Sequence, residues 1–354
     1  MKKILSFLLT TVMLICMLEL FAYADYVEKE YLRVGDFYIA VDEKGMADIQ
    51  GYYGNDSELV IPQEIGGYTV EEISGGFEDC TFINSIIIPD TVTVIGKEVF
   101  CDTDFYNNAD NWENGVLYSG NHLLAANKDI ESLNIKEGTQ VIANGLSENN
   151  HSLKNVVFPS SLKHIGRSAF SNCTAVCTVV IKGEVQDINK WTFSGCVNLK
   201  NVVLNEGLRK IESGAFRDCS SLESVYLPSS VEIVDDDAFD GCGKFTDVYY
   251  GGTQEEWNFK VLTYLDGQYY FGNKTVNFGH IHKDENKNGM CDECLEDNKN
   301  ITSNEPSEKP DVPAVECSCN CHKTGFMSFV WKIVLFFQKL FRINKVCSCG
   351  VVHY

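Results

Sequence analysis

Apolar residues recur along the middle of this chain at a fixed step of 23. Phe170, Phe193, Phe216 and Phe239 form one series, and Cys173, Cys196, Cys219 and Cys242 follow three residues behind. Val156, Val179, Val202, Val225 and Val248 keep the same step, as do Phe158, Ile181, Leu204, Leu227 and Tyr250. Self-similarity at such a period marks a stacked repeat whose units bury their apolar faces against each other. Function is therefore expected on a surface and not in a cleft.

Within one unit, Val202 and Leu204 are two apart and share one face of an extended strand. Ala215, Phe216 and Cys219 share one face of a short helical turn, and Leu208 and Ile211 fill the corner between. The pattern predicts a leucine-rich-repeat solenoid with a parallel β-sheet and short helical turns. A small Cys-rich C-terminal module with an amphipathic helix follows it.

The phrase Leu222-Glu-Ser-Val225-Tyr-Leu227-Pro228-Ser-Ser-Val231 through Ala238-Phe239-Asp-Gly-Cys242 resembles the BspA-type leucine-rich repeats of bacterial surface proteins. So do Ile86-Ile-Ile88-Pro89, Val92, Ile95-Gly96 and Phe100, and Tyr250 to Trp257 is similar to an element that ends such arrays. The resemblance spans residues 34–262 and implies adhesion or interaction with host or neighbouring cells.

The register is irregular in one place. Ile88 to Ile135 is 47 residues, two periods plus one. The intervening Asn114-Gly115 and Ser119-Gly120-Asn121 turn signals flank short apolar runs, which predicts a hairpin insertion over 104–128. Ser147 and Asn150 stand where Phe and Cys are expected, so that coil reads as weakly cored.

Residues 1–24 read as a signal peptide: Met1-Lys-Lys, an apolar run from Ile4 to Leu18, then Ala22-Tyr-Ala24. An N-terminal cap over 25–53 precedes the solenoid at 54–262. A small His/Cys module follows at 263–295, then a proline-bearing linker at 296–316 and a Cys-rich segment at 317–354. The expected location is secreted or on the bacterial cell surface. A net charge of −21 argues against a nucleic-acid partner, which needs a basic face.

The tail from His280 onward holds four of the seven histidines and seven of the fifteen cysteines. His280, His282, Cys291 and Cys294 supply nitrogen and sulfur ligands suited to zinc. The same stretch places Asp284, Asn286, Asn288, Gly289 and Asp292 at calcium-loop positions, but Leu295 stands at the closing carboxylate position. A local Cys291–Cys294 disulfide is the plain alternative. The apolar segment 325–342 carries Lys332, Lys339 and Arg342 on one stripe, which fits contact with a membrane interface or the buried helix of a cysteine-stapled domain. The ladder cysteines read as buried structural thiols.

No nucleophile motif or phosphate loop appears, so the chain is expected not to be an enzyme. Between the two inward residues of each strand one residue faces outward. The series runs Val60, Ile87, Asn134, Val157, Val180, Val203, Tyr226 and Tyr249. Val157, Val180, Val203, Tyr226 and Tyr249 are the candidate contacts for a protein or glycan partner at a host or bacterial surface, with the two tyrosines as anchors. Strand preference alone also favours such residues. The competing expectation is a structural cell-envelope spacer anchored by its C-terminal segment.

Overall fold

A computed structural model describes residues 29–258 and 274–279, together with two short strands at Lys345–Val346 and Val352–His353. The 23-residue period is the rise from one coil to the next. Strands Thr178–Val180, Asn201–Val203, Ser224–Leu227 and Asp247–Tyr250 pair in parallel, and Val179, Val202, Val225 and Val248 align across the rungs. Earlier rungs pair Glu58–Val60 with Ser85–Ile87 and Ser132–Asn134 with Asn155–Val157. The strands are short because each buries only two alternate side chains before the chain turns.

The corner residues form a second parallel ladder. Asp187–Ile188, Lys210–Ile211 and Ile233–Val234 pair in register, as do Val141–Ile142 and His164–Ile165. Ile188 and Ile211 are fully buried, so two-residue strands suffice to close each coil. Gly166 makes the close approach possible: a Cβ there would lie 2.4 Å from the amide nitrogen of Asn144 on the preceding coil.

The third side of each coil carries the Phe/Cys segments. The expected helical turns are single hydrogen-bonded turns, Cys173 N–H to the Phe170 carbonyl at 3.3 Å for instance. Left-handed residues such as Asn172 (φ 57°) and Asp218 (φ 58°) stop them from propagating as helices. Coil-to-coil amide bonds replace the helical ones, with Phe170 donating to Thr192, Phe193 to Ala215 and Phe216 to Ala238. Inside, Phe170, Phe193, Phe216 and Phe239 stack with centroids 5.2–5.5 Å apart and planes within 9°.

Both ends are capped. Glu30–Val34, Phe37–Val41 and Met46–Tyr52 form an antiparallel meander, and its last strand joins Tyr68–Ile73 in parallel. At the other end a one-turn helix, Gln254–Glu256, is closed by a Thr253/Glu256 capping box. It delivers Trp257 onto Tyr250 at 5.0 Å. Strand Thr275–Phe278 then adds a rung beside Asp247–Tyr250, so the sheet runs beyond residue 262, the boundary read from the repeat pattern.

The insertion is a hairpin. Val116–Ser119 pairs antiparallel with His122–Ala126, preceded by a short helix at Asp104–Asn107. His122–Leu123 joins the corner ladder at Val141–Ile142, so the hairpin supplies part of a coil. In the coil at Ser147 and Asn150 no aromatic ring fills the Ser147 position, whose buried Oγ has no hydrogen-bond partner, but the Asn150 position is compensated. Asn150 is buried and acts as a polar plug: its Nδ2 donates to the Ile130 carbonyl at 3.0 Å, and its Oδ1 accepts from the amides of Ser152 and Leu153. The chain divides into two compact units at residues 290 and 291, and in the second the strands Lys345–Val346 and Val352–His353 pair antiparallel.

Candidate binding surface

The outer face of the sheet is built by alternation. Leu59 and Ile61, Ile86 and Ile88, Val179 and Ile181 point inward and are buried, which forces the residue between each pair outward. Parallel in-register pairing then lines those residues up: Val60 beside Ile87, Asn134 beside Val157, Val180 beside Val203, and Tyr226 beside Tyr249. A second row of small polar residues runs alongside, with Glu58 beside Ser85, Ser132 beside Asn155, and Thr178 beside Asn201. Ser224 Oγ donates to Asn201 Oδ1 at 2.8 Å within this polar row.

Exposure along the apolar row is graded. Val60 (58%), Ile87 (60%) and Val157 (55%) are open, Val180 and Val203 are half-buried, and Tyr226 (6%) and Tyr249 (8%) are covered. The tyrosines chosen as anchors are therefore not accessible. The hydroxyl of Tyr226 sits 3.4 Å from Glu206 Oε1, and a Cβ on Gly251 would come within 2.9 Å of it. Alternation gave the direction of these side chains correctly but carried no information about what lies over them. The open positions Val60 and Ile87 belong to the same outward series.

The cysteine ladder is shut away from this surface. Cys173, Cys196, Cys219 and Cys242 are buried free thiols, each donating to a carbonyl on the preceding coil at 3.1–3.2 Å. Burial pushes the Cys173 thiol up to about 12. Burial likewise raises Cys196, and hydrogen bonding to Cys242 together with burial raises Cys219, so these three thiols are protonated packing units at neutral pH, the opposite of reactive thiolates.

Among the described residues no cluster of His, Cys, Asp and Glu is arranged to hold a metal. His280, His282, Cys291 and Cys294, with the zinc and calcium expectations, lie outside the described residues, as do the signal peptide and segment 325–342. Among the described residues no helix is long and apolar enough to cross a membrane. His122, buried in the hairpin, sets its Nε2 2.9 Å from the Val92 carbonyl, and burial lowers its pKa. It is a structural histidine.

The repeat register, the two ladders and the outward row together define a bacterial-type leucine-rich solenoid. Residues 71–160 and 118–246 match the BspA type leucine rich repeat region in six copies, and the chain belongs to that family. Solved structures that resemble it include a leucine rich cell surface protein from Faecalibacterium prausnitzii, at 16% identity over 66% of this chain and 98% of that one, with a TM-score of 0.22. The Treponema pallidum leucine rich repeat protein matches at 24% identity over 62% and 81%, with a TM-score of 0.29. The pneumococcal vaccine antigen PcpA matches at 13% identity over 71% and 99%, with a TM-score of 0.33. No curated protein matches the chain. Family membership suggests a repeat-mediated binding or surface role, on a scaffold that is typically non-catalytic.

Proposed function

We propose that this chain is a secreted or surface-retained bacterial binding protein, non-catalytic, whose repeat sheet engages a protein or glycan partner. The observation that carries this reading is the exposure of Val60 and Ile87, paired side by side, and of Val157, paired with Asn134 on a separate pair of strands, all flanked by polar side chains. Isolated apolar residues on a surface are ordinary, but Val60 and Ile87 stand side by side in register on a solvated face, with Val157 open on a later rung. The flanking polar groups provide hydrogen bonds at its edge, the arrangement of a dry centre and a wet rim. The contact is centred toward the N-terminal half of the sheet, because Tyr226 and Tyr249 are covered.

The test replaces Val60, Ile87 and Val157 with threonine together. Threonine keeps the β-branched shape and strand preference while replacing a methyl of each valine, and the ethyl of Ile87, with a hydroxyl. The variant is expected to fold as the parent does and to lose at least about tenfold in affinity for surface-exposed proteins or glycans of host or bacterial cells. Equal binding by parent and variant would refute the assignment.

A further inference from the structure

One bulky residue stands where the backbone favours glycine. The turn before each Phe/Cys segment holds one residue in the left-handed region: Gly145 (φ 62°), Ser168 (φ 53°), Trp191 (φ 57°) and Gly214 (φ 62°). A tryptophan in that conformation is an outlier, and backbone strain of this kind points to a role beyond packing. Trp191 is also 47% exposed, so burial in the chain's own core does not account for it. Its indole lies over Gly214, where a Cβ would come 2.4 Å from Cδ1.

The charges around Trp191 are sorted by sign. Amide bonds from Gly145 to the Arg167 carbonyl, Ser168 to Lys190 and Trp191 to Ser213 hold Arg167, Lys190 and Ser213 in one column at the 23-residue step. Asp236 is the next residue of that column. Its coil packs directly on Ser213 and Gly214, whose amides donate to Asp235 Oδ2 at 2.9 Å and Asp237 Oδ1 at 3.1 Å. Lys210 and Arg217 approach those two carboxylates at 3.8 Å. Among the described residues, Arg167, Lys190 and the exposed Asp236 have no ion-pair partner. Two unpaired cations thus stand on one side of Ser213 and an unpaired anion on the other.

We propose that a second copy of this chain docks on this face, about a two-fold axis passing beside Ser213 and Gly214. The rotation reverses the column, so Lys190 of each copy meets Asp236 of the other. Coils stack about 4.8 Å apart, and Lys190 and Asp236 each stand one coil from Ser213, so both pairs form at once. The Trp191 indoles, already turned toward Gly214, meet near the axis. A uniformly acidic partner would face Asp235, Asp236 and Asp237, and a uniformly basic one Arg167 and Lys190. Only a partner with both signs in the opposite order suits the whole face, and a rotated copy supplies it. Two-fold contacts of this self-complementary kind are the commonest in soluble oligomers, and a central tryptophan with charges at the rim is their usual anatomy. The face lies on the turn side of the coils and is independent of the sheet contact proposed above.

The experiment measures self-association of the full chain by analytical ultracentrifugation under reducing conditions. The parent is expected to dimerise, more tightly at low than at high ionic strength. Trp191→Ser, which installs the residue found one coil earlier, is expected to weaken the dimer at least about tenfold. Lys190→Glu and Asp236→Lys each set like charges together twice and are expected to weaken it as much. An equimolar mixture of those two variants restores opposite charges at both pairs and is expected to recover the dimer. If Trp191→Ser fails to fold, the two surface charge variants and their mixture decide alone. A monomeric parent, including one that binds an anionic polysaccharide such as heparin instead, overturns the proposal. So does a dimer that the charge variants leave unchanged, or a mixture that associates no more tightly than either variant alone.

Discussion

The thiol of Cys219 donates to the carbonyl of Phe193, 26 residues earlier and 3.2 Å away, which ties it to the aromatic rung of the coil before it. The same relation links Cys196 to Phe170 and Cys242 to Phe216. The consequence is chemical inertness. In native protein at neutral pH, alkylation followed by mass spectrometry is expected, among the described cysteines, to label exposed Cys177 first and to leave Cys173, Cys196 and Cys219 unmodified.

The raised thiol pKa also sets a pH dependence. Burial moves Cys173 from an ordinary value of 9.0 up to about 12, so the unfolded chain releases this proton at lower pH than the folded one. The stability that the buried, protonated thiol represents is complete below pH 9.0 and is lost as pH rises toward about 12. Urea melts are expected to show a falling midpoint across that window. Cys173→Ala is expected to flatten the fall, at the cost of a lower midpoint at neutral pH.

The phenylalanine column is expected to be the main source of coil-to-coil cohesion. Phe216 is fully buried with a parallel ring on each side, at 5.4 and 5.2 Å. Phe216→Ala is expected to cost about 3–5 kcal/mol in chemical denaturation. In a stack where each repeat touches only its neighbours, the loss should loosen the adjacent coils before the N-terminal cap. Hydrogen exchange resolved by coil checks this order.

Two glycines separate backbone approach from backbone freedom. Gly166→Ala would drive a methyl onto the Asn144 backbone, where only main chain stands to yield, and is expected to destabilise by more than about 1 kcal/mol. Gly243 has open space around its missing Cβ and no left-handed φ, so Gly243→Ala is expected to be neutral or to stabilise by about 0.4–1 kcal/mol. Paired thermal melts distinguish them.

The solenoid was legible because its period is written in residues that must be inside. Phe193, Cys196, Val202 and Leu204 each repeat in register, and burial leaves little choice of residue there. The hairpin was legible from Asn114-Gly115 and Ser119-Gly120-Asn121, whose turn geometry is local; Asn114 and Gly115 both adopt positive φ. What escaped was set by tertiary context. Tyr226 and Tyr249 take their register from the alternation, yet both are buried, which the alternation alone does not encode. Asn150 reads as a defect in the cysteine series, whereas its amide bonds to Ile130, Ser152 and Leu153 make it a substitute.

The proposed binding surface is the open, N-terminal part of the outer face, at Val60, Ile87 and Val157. A photo-crosslinking residue placed at Ile87, and in a separate variant at exposed Arg217 on the turn side, tests this most directly on intact host or bacterial cells. The predicted result is specific capture from position 87, abolished when Val60 and Val157 are both threonine, with background capture from position 217. Equal capture from the two positions, or capture at 87 that survives the threonine changes, would contradict the account.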